Sequence, residues 1–277
     1  MKLQGLDYIA LADRLLPAVL AAGRLEVLYF KSGITVSRKS DASPVTVADQ
    51  EAEAILHEAL AIAAPGVPVV AEEAAAAGII PEVGDMFFLV DPLDGTNSFI
   101  SGNRDFTINI ALIEHGRPTF GVVYAPATGR MFAALGPETA IEATVQPDAA
   151  VTRFEDIGAQ QIHTRTPNMD QLAAVASRTH GTAEAEAFLL RCNVKHRRNI
   201  GSSLKFCLVA RGDADLYPRI GSIHEWDTAA GHAVLKAAGG TVTLFDGSEL
   251  TYGKVDKRFK NPDFIAWGRP ELVTQLT

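Results

Sequence analysis

Five carboxylates in this sequence, Asp49, Glu72, Glu73, Asp91 and Asp94, each follow or interrupt an apolar run rich in β-formers. Strand ends collect along one edge of a sheet, so these acids can converge in one cleft. Ionised carboxylates brought together repel and lose hydration unless a cation compensates them. Oxygen ligands without paired His or Cys favour Mg²⁺ over zinc. The densest of these places is "FFLVDPLDGTNSFI", residues 87–100. Pro92 fixes one backbone torsion, so Asp91 and Asp94 can share one side of a stiff turn with the Leu93 carbonyl between them. Gly95 and Thr96 then open a helix whose free N–H groups and dipole suit a bound phosphate. Cation and phosphate would meet at one point, as hydrolysis of a phosphate ester requires. Glu72 and the Thr96 hydroxyl are the candidates for orienting the attacking water. The spacing of an EF-hand is missing, and so is a P-loop.

Each acid also has an ordinary structural explanation. Asp91-Pro92 and Asp94-Gly95 are common turn dipeptides. Asp49 and Asp227 stand just ahead of helical spacing, where a carboxylate can cap free N–H groups. Glu73 fits a solvated charge. The joint occurrence is what favours a cation site.

The rest of the chain must position such a site. With 277 residues, 47% hydrophobic and 21% charged, it has material for a large layered core and exceeds one simple domain. The expected division is an α+β part over 1–166, carrying the acids, and a smaller α/β part over 167–277. "GLDYIALADRLLPAVLAAGRLEVLYF" predicts an amphipathic first helix; Asp13, Arg14, Arg24 and Glu26 argue against a signal peptide or membrane span. A second helix is expected over "DQEAEAILHEALAIAAPG", with Asp49 near its cap. Extended segments follow at 67–73 and 86–91, then an antiparallel meander over 105–135 with turns at His115-Gly116 and Thr128-Gly129. Downstream, "LAAVASRTH" and "ADLYPR" read as strands, "GSSLKFCLVARG" and "EWDTAAGHAVLKAAGG" as helices closed by glycine.

A net charge of −8 and a pI near 5.4 offer no basic field to a nucleic-acid backbone. The only cysteines, Cys192 and Cys207, lie far apart without metal spacing, which suits a reducing compartment such as the cytoplasm.

In chain order, Asp49, Glu72-Glu73, "DPLDGT" at 91–96 and "WDTAAG" at 226–231 resemble the signature of the inositol monophosphatase superfamily of lithium-sensitive, Mg²⁺-dependent phosphomonoesterases. The resemblance implies a layered αβαβα sandwich of the inositol monophosphatase and fructose-1,6-bisphosphatase type, often dimeric, with two or three Mg²⁺ ions per site. It makes Glu72, Asp91, Asp94 and Asp227 metal ligands together with the Leu93 carbonyl, and Asp49, Glu72 and Thr96 the catalytic group. Leu93, Asp94, Gly95, Thr96 and Asp227 would also meet the substrate. "DFTINIALIEHGRPTFGVVYAP", "SRTH" and "GSSLKFCLVARGDADLYPR" are most similar to the CysQ-type 3′(2′),5′-bisphosphate nucleotidases. These take the 3′-phosphate from adenosine 3′,5′-bisphosphate, a by-product of sulfate assimilation, to give AMP; the sulfated parent nucleotide is a second candidate substrate. By the same resemblance His180, Ser202, Lys205 and Arg219 face the nucleotide. Asn97-Ser98 stand where that branch carries Lys-Glu, a departure that bears on substrate preference and not on the chemistry.

From the residues alone, Ser202 and Lys205 fall in the first turn of a predicted helix, where a hydroxyl, free amides and a Lys charge suit phosphate. A capped surface helix explains them as well. Arg219 after Tyr217-Pro218 can be a surface charge, and a lone His180 after a strand is commonly structural. Trp226 reads as core packing, and Gly231 as a point of close helix contact. Three functions compete: the nucleotidase, an inositol-phosphate or sugar-phosphate phosphatase with the same chemistry, and a catalytically silent phosphate-binding protein. The last could dispense with Glu72 or Thr96, and both are present. The expected partners are a small nucleotide bisphosphate and a second copy of the chain, with no nucleic acid and no transmembrane segment. The inner face of the cell membrane is an alternative to free cytoplasm.

Overall fold

The computed structural model describes residues 7–33, 36–38, 44–178 and 181–276. The chain begins with α1 (Tyr8–Ser32), the strand pair β1 (Val36–Arg38) and β2 (Pro44–Thr46), and α2 (Val47–Ala63). Next come β3 (Val69–Ala71), α3 (Glu72–Ala76), β4 (Met86–Asp94) and α4 (Thr96–Ile100). The meander follows: β5 (Thr107–Glu114), β6 (Arg117–Ala125), β7 (Arg130–Leu135), β8 (Ala140–Thr144) and β9 (Gln160–Gln161). The remainder is β10 (Ala173–Ser177), α5 (Ala183–Arg191), β11 (His196–Ile200), α6 (Leu204–Ala210), β12 (Leu216–Arg219), β13 (Ile223–His224), α7 (Ala229–Ala237), β14 (Thr241–Leu244), β15 (Lys260–Asn261), β16 (Phe264–Trp267) and α8 (Glu271–Leu276).

Strands β3 to β9 make a seven-stranded sheet in chain order, parallel at β3–β4 and antiparallel from there on. A five-stranded sheet has the order β11-β10-β12-β16-β14. Side chains alternate across a strand, and the alternation in β4 defines two interfaces. Phe88 and Val90 are buried with Leu15, Leu16 and Leu20 of α1 and Leu56 of α2. Phe87 and Leu89 point the other way, into a core shared with α6, α7 and one face of the five-stranded sheet, through Tyr217, Phe264 and Ala266. The opposite face of that sheet, Leu216, Ile265 and Trp267, is covered by Phe188 and Leu189 of α5 and Leu272 of α8. The layers therefore run helix, sheet, helix, sheet, helix, the αβαβα sandwich that the sequence resemblance implies. Both sheets close on the same central core. No helix among the described residues is long and apolar enough to cross a membrane.

Four local expectations need correction. α2 starts at Val47 behind the N-cap Thr46, and Asp49, at the third helical position, accepts the Thr46 N–H at 2.8 Å. The extended run at 67–73 ends at Ala71, because "EEAAA" is a strong helix former with its acids at the positive end. α6 starts at Leu204, which leaves Ser202 ahead of the helix with φ +54°. Asp227 is not a cap, since Thr228 holds that position for α7.

Helix α7 fits against α6 through Gly231, where an added Cβ would lie 2.7 Å from the Phe206 ring. Gly231→Ala is expected to lower stability by about 1–3 kcal/mol, seen as a lower urea midpoint at unchanged slope. A midpoint equal to that of the parent protein would show slack in this contact.

Candidate active site

Three of the acids meet where the first sheet, α3 and the loop before α7 come together. β3 and β4 pair in parallel with Ala71 opposite Val90, so Glu72, the next residue after β3, arrives beside Asp91. Pro92 has no N–H for the ladder, and the register against β5 shifts between Asp91 and Asp94. That irregularity lets Leu93 N–H turn back to Asp91 Oδ1 at 3.0 Å. Asp227 enters from the second half of the chain, its Oδ2 accepting the His224 N–H at 2.9 Å. One carboxylate oxygen from each of Glu72, Asp91 and Asp227 lies within 4.8 Å of the others.

Asp91 Oδ2 is buried and accepts no hydrogen bond from the described residues. Burial, followed by the charges of Glu72, Asp94 and Asp227, pushes the Asp91 carboxyl well above the usual range. Burial and then Asp94 and Glu72 do the same to Asp227. Such a group fits a hard divalent cation, because only oxygens are offered, one lacks any donor, and a positive charge would remove the repulsion.

Asp94 is held apart from this triad. Its Oδ2 accepts the Ser203 N–H at 2.6 Å. Burial raises its pKa to about 6, with Lys205 and the Ser203 N–H pulling the other way. Lys205 is only 7% exposed, and its Nζ donates to Ser202 O at 2.5 Å. Burial lowers that ammonium to about 8 against the pull of Asp94. Arg219 is also buried; Nη2 donates to Ser222 O at 3.0 Å, while Nε has no partner among the described residues. Glu72, Asp94, Gly95, Thr96, Ser202, Lys205, Arg219 and Asp227 all line one cavity of about 420 Å³.

Thr96 Oγ1 lies 3.3 Å from Asp49 Oδ1 and 3.3 Å from Leu93 O, and its single proton serves one of them at a time. The other Asp49 oxygen is taken by Thr46, through N–H at 2.8 Å and Oγ1 at 2.5 Å. Gly95 has φ +97°, and a Cβ there would lie 2.9 Å from Asp105 O, so glycine is required between Asp94 and Thr96. α4 has only five residues, so any anion preference at its start comes from a few free N–H groups and little macrodipole.

Glu73 is outside the triad; its backbone N–H donates to Glu53 Oε2 at 2.7 Å. His180, expected to face the nucleotide, lies outside the described residues. Sequence reasoning missed Ser203, which ties Asp94 through its N–H and Asn109 Oδ1 through its Oγ at 2.6 Å. The "GSS" run signals a helix cap but not which carboxylate takes the amide.

The sequence model of the inositol monophosphatase family matches residues 12–269. The 3′(2′),5′-bisphosphate nucleotidase CysQ of Escherichia coli (strain K12) is 42% identical over 229 residues, 83% of this chain and 87% of that protein. Its counterpart in Buchnera aphidicola is 35% identical over 260 residues, 92% of each chain. Among solved structures, CysQ from Bacteroides thetaiotaomicron, a bacterial member of the inositol monophosphatase family, aligns with TM-score 0.77 at 33% identity over 95% of this chain and 98% of its own. An IMPase of Thermotoga maritima aligns with TM-score 0.73 at 24% identity over 94% of each chain, a likeness of fold.

The acids also set a pH dependence. Asp94 has a folded pKa of about 6 against an ordinary 3.8, and Asp91 and Asp227 are raised as well. The native state thus keeps protons that the unfolded chain has released, and these groups contribute less stability as pH rises through about 4–6 and beyond. The Tm of the metal-free protein should fall between pH 5 and pH 7.5. Mg²⁺ should raise Tm more at pH 7.5 than at pH 5, because it competes with those protons. Equal Mg²⁺ shifts at both values would place the ion elsewhere.

Proposed function

Because this chain belongs to the inositol monophosphatase family, we propose that it is a Mg²⁺-dependent 3′(2′),5′-bisphosphate nucleotidase that removes the 3′-phosphate of adenosine 3′,5′-bisphosphate to leave AMP and phosphate. The sulfated parent nucleotide fits the same reading. Relatives named for this activity cover most of the chain. The observation that carries the reading is one cavity with two opposite characters: Glu72, Asp94 and Asp227 line it together with Lys205 and Arg219. A substrate with one phosphate to lose and another to be held matches that pairing.

Glu72, Asp91 and Asp227, with Asp94 and the Leu93 carbonyl, would hold two or three Mg²⁺ ions. When bound, the ions neutralise phosphate charge and acidify a water. Thr96 gives its proton to Asp49, whose second oxygen is fixed by Thr46, and so turns lone pairs toward the cavity. Its oxygen can then accept a hydrogen bond from a water that Glu72 also orients, and a proton leaving that water can pass to Thr96 as the Thr96 proton passes to Asp49. With that proton directed to Asp49, the Leu93 carbonyl is left without a claim on Thr96. Lys205 and Arg219 give charge-assisted bonds to the phosphate that stays. The division of labour follows the chain: 1–166 supplies most of the metal and water-orienting groups, and 167–277 supplies Asp227 and the substrate-holding cations.

Asp91→Asn should lower turnover at least a hundredfold, because it removes charge from the most crowded member of the triad and weakens the hold on the cation. Full activity of the parent protein in excess EDTA would sink the metal-dependent reading.

Substrate choice is tested by Arg219→Ala. A charge-assisted bond of about 1.5–3 kcal/mol to the retained phosphate corresponds to about tenfold to a hundredfold in kcat/KM. Inositol 1-phosphate lacks the second phosphate, so the ratio of the two kcat/KM values should fall by that factor. Equal losses on both substrates would assign Arg219 to the scaffold and favour the inositol-phosphatase reading.

A further inference from the structure

Asp227 is the one acid of the triad that no strand or helix carries; it sits between β13 and α7. What fixes it comes from a distant stretch, residues 251–261. Glu225 is completely buried. Its carboxylate accepts the backbone N–H of Gly253 at 2.8 Å and of Lys254 at 3.0 Å, and Lys254 Nζ at 3.0 Å. Its own N–H donates to Phe259 O at 2.8 Å. Lys254 Nζ continues to Asn261 Oδ1 at 3.1 Å and also donates to Thr251 O. Asn261 Nδ2 then donates to Thr228 Oγ1 at 2.8 Å and to His224 O at 3.3 Å. The residues on both sides of Asp227 are thus gripped by one continuous polar network, none of whose members is the metal triad itself.

We infer that Lys254 and Asn261, acting through Glu225 and Thr228, are positioning residues for Asp227 and set the affinity of the site for its divalent cation. The inference rests on the reading of Asp227 as a metal ligand. Three physical points carry it. A fully buried carboxylate persists only if its charge is matched, and here the matching cation and both amides belong to the clamping stretch. The backbone tether of Asp227 among the described residues is the His224 N–H, and His224 O is held by Asn261. Groups behind a metal ligand that fix its direction change affinity by about tenfold to a hundredfold when removed.

The expected signature is a rise in the Mg²⁺ concentration for half-maximal activity, with kcat at saturating Mg²⁺ within a few-fold of the parent protein. Lys254→Met breaks the clamp but leaves the Glu225 charge buried. The double variant Glu225→Gln/Lys254→Met is therefore made beside it, since it removes both charges and keeps a side-chain acceptor for one of the two amides. Both are measured in two ways: Mg²⁺ titration of turnover on adenosine 3′,5′-bisphosphate, and Mg²⁺ titration of Tm without substrate. A tenfold to hundredfold shift of both midpoints in either folded variant supports the inference. A lower Tm with unchanged Mg²⁺ midpoints would reduce the network to a purely structural role and overturn it. If the parent protein shows a Mg²⁺-dependent Tm but does not turn over the nucleotide, the substrate reading fails and the clamp is still judged by the Tm midpoints. If the parent Tm ignores Mg²⁺, the ligand reading of Asp227 fails and the clamp inference with it.

Discussion

Everything in this molecule is arranged around an unfavourable contact, the crowding of Glu72, Asp91 and Asp227 with carboxylate oxygens within 4.8 Å of one another. Like charges at that separation in a partly dry site cannot all ionise without compensation. Three pieces of backbone converge there: the end of β3 and the irregular end of β4, neighbours in one sheet, and the loop before α7. The packing of α6, α7 and both sheets into a common core holds these pieces in place. Protons and a divalent cation held there would compete for the same oxygens, which would couple folding, pH and metal affinity at this point.

The part of the site written in local sequence was legible. Pro92 lacks an N–H and Gly95 must adopt φ +97°, so "DPLDGT" dictates its own geometry wherever it stands. Helix starts were less legible, by two to four residues at α2, α6 and α7, because caps compete. Thr46 outranks Asp49, and the helix-forming "EEAAA" takes Glu72 out of the strand and into α3. Contacts set by sheet adjacency left no local trace. Ser203 finds Asp94 across 109 positions, and Lys254 finds Glu225 across 29. Short apolar strands such as "FIAW" in β16 carry no period by which to recognise them.

Burial changes what the cations mean. As sequence, Lys205 and Arg219 are compatible with surface charges. As structure, each is 7% exposed, and a buried ammonium or guanidinium demands a partner. Ser202, bent to φ +54° before α6, supplies part of the answer for Lys205 by turning its carbonyl to Nζ. Backbone of this kind is costly for a residue with a Cβ and persists where the surroundings over-determine it.

The two cations are nevertheless unequal, and the inequality bears on how the cavity tells substrates apart. Lys205 is already answered: Asp94 opposes the desolvation of its charge and Ser202 O takes one of its protons. Arg219 gives Nη2 to Ser222 O, but its Nε is buried without a partner among the described residues. An unpaired donor in a low-dielectric wall is expensive until an anion arrives. A ligand with a single phosphate, seated at the acidic end, leaves that cost in place, whereas a second phosphate relieves it. Discrimination of this kind comes from the penalty left by the wrong ligand as much as from the bond formed by the right one. By that argument Arg219 would be the stronger discriminator in the proposed reading, while Lys205, already shared with Asp94 and Ser202 O, would gain less from the retained phosphate.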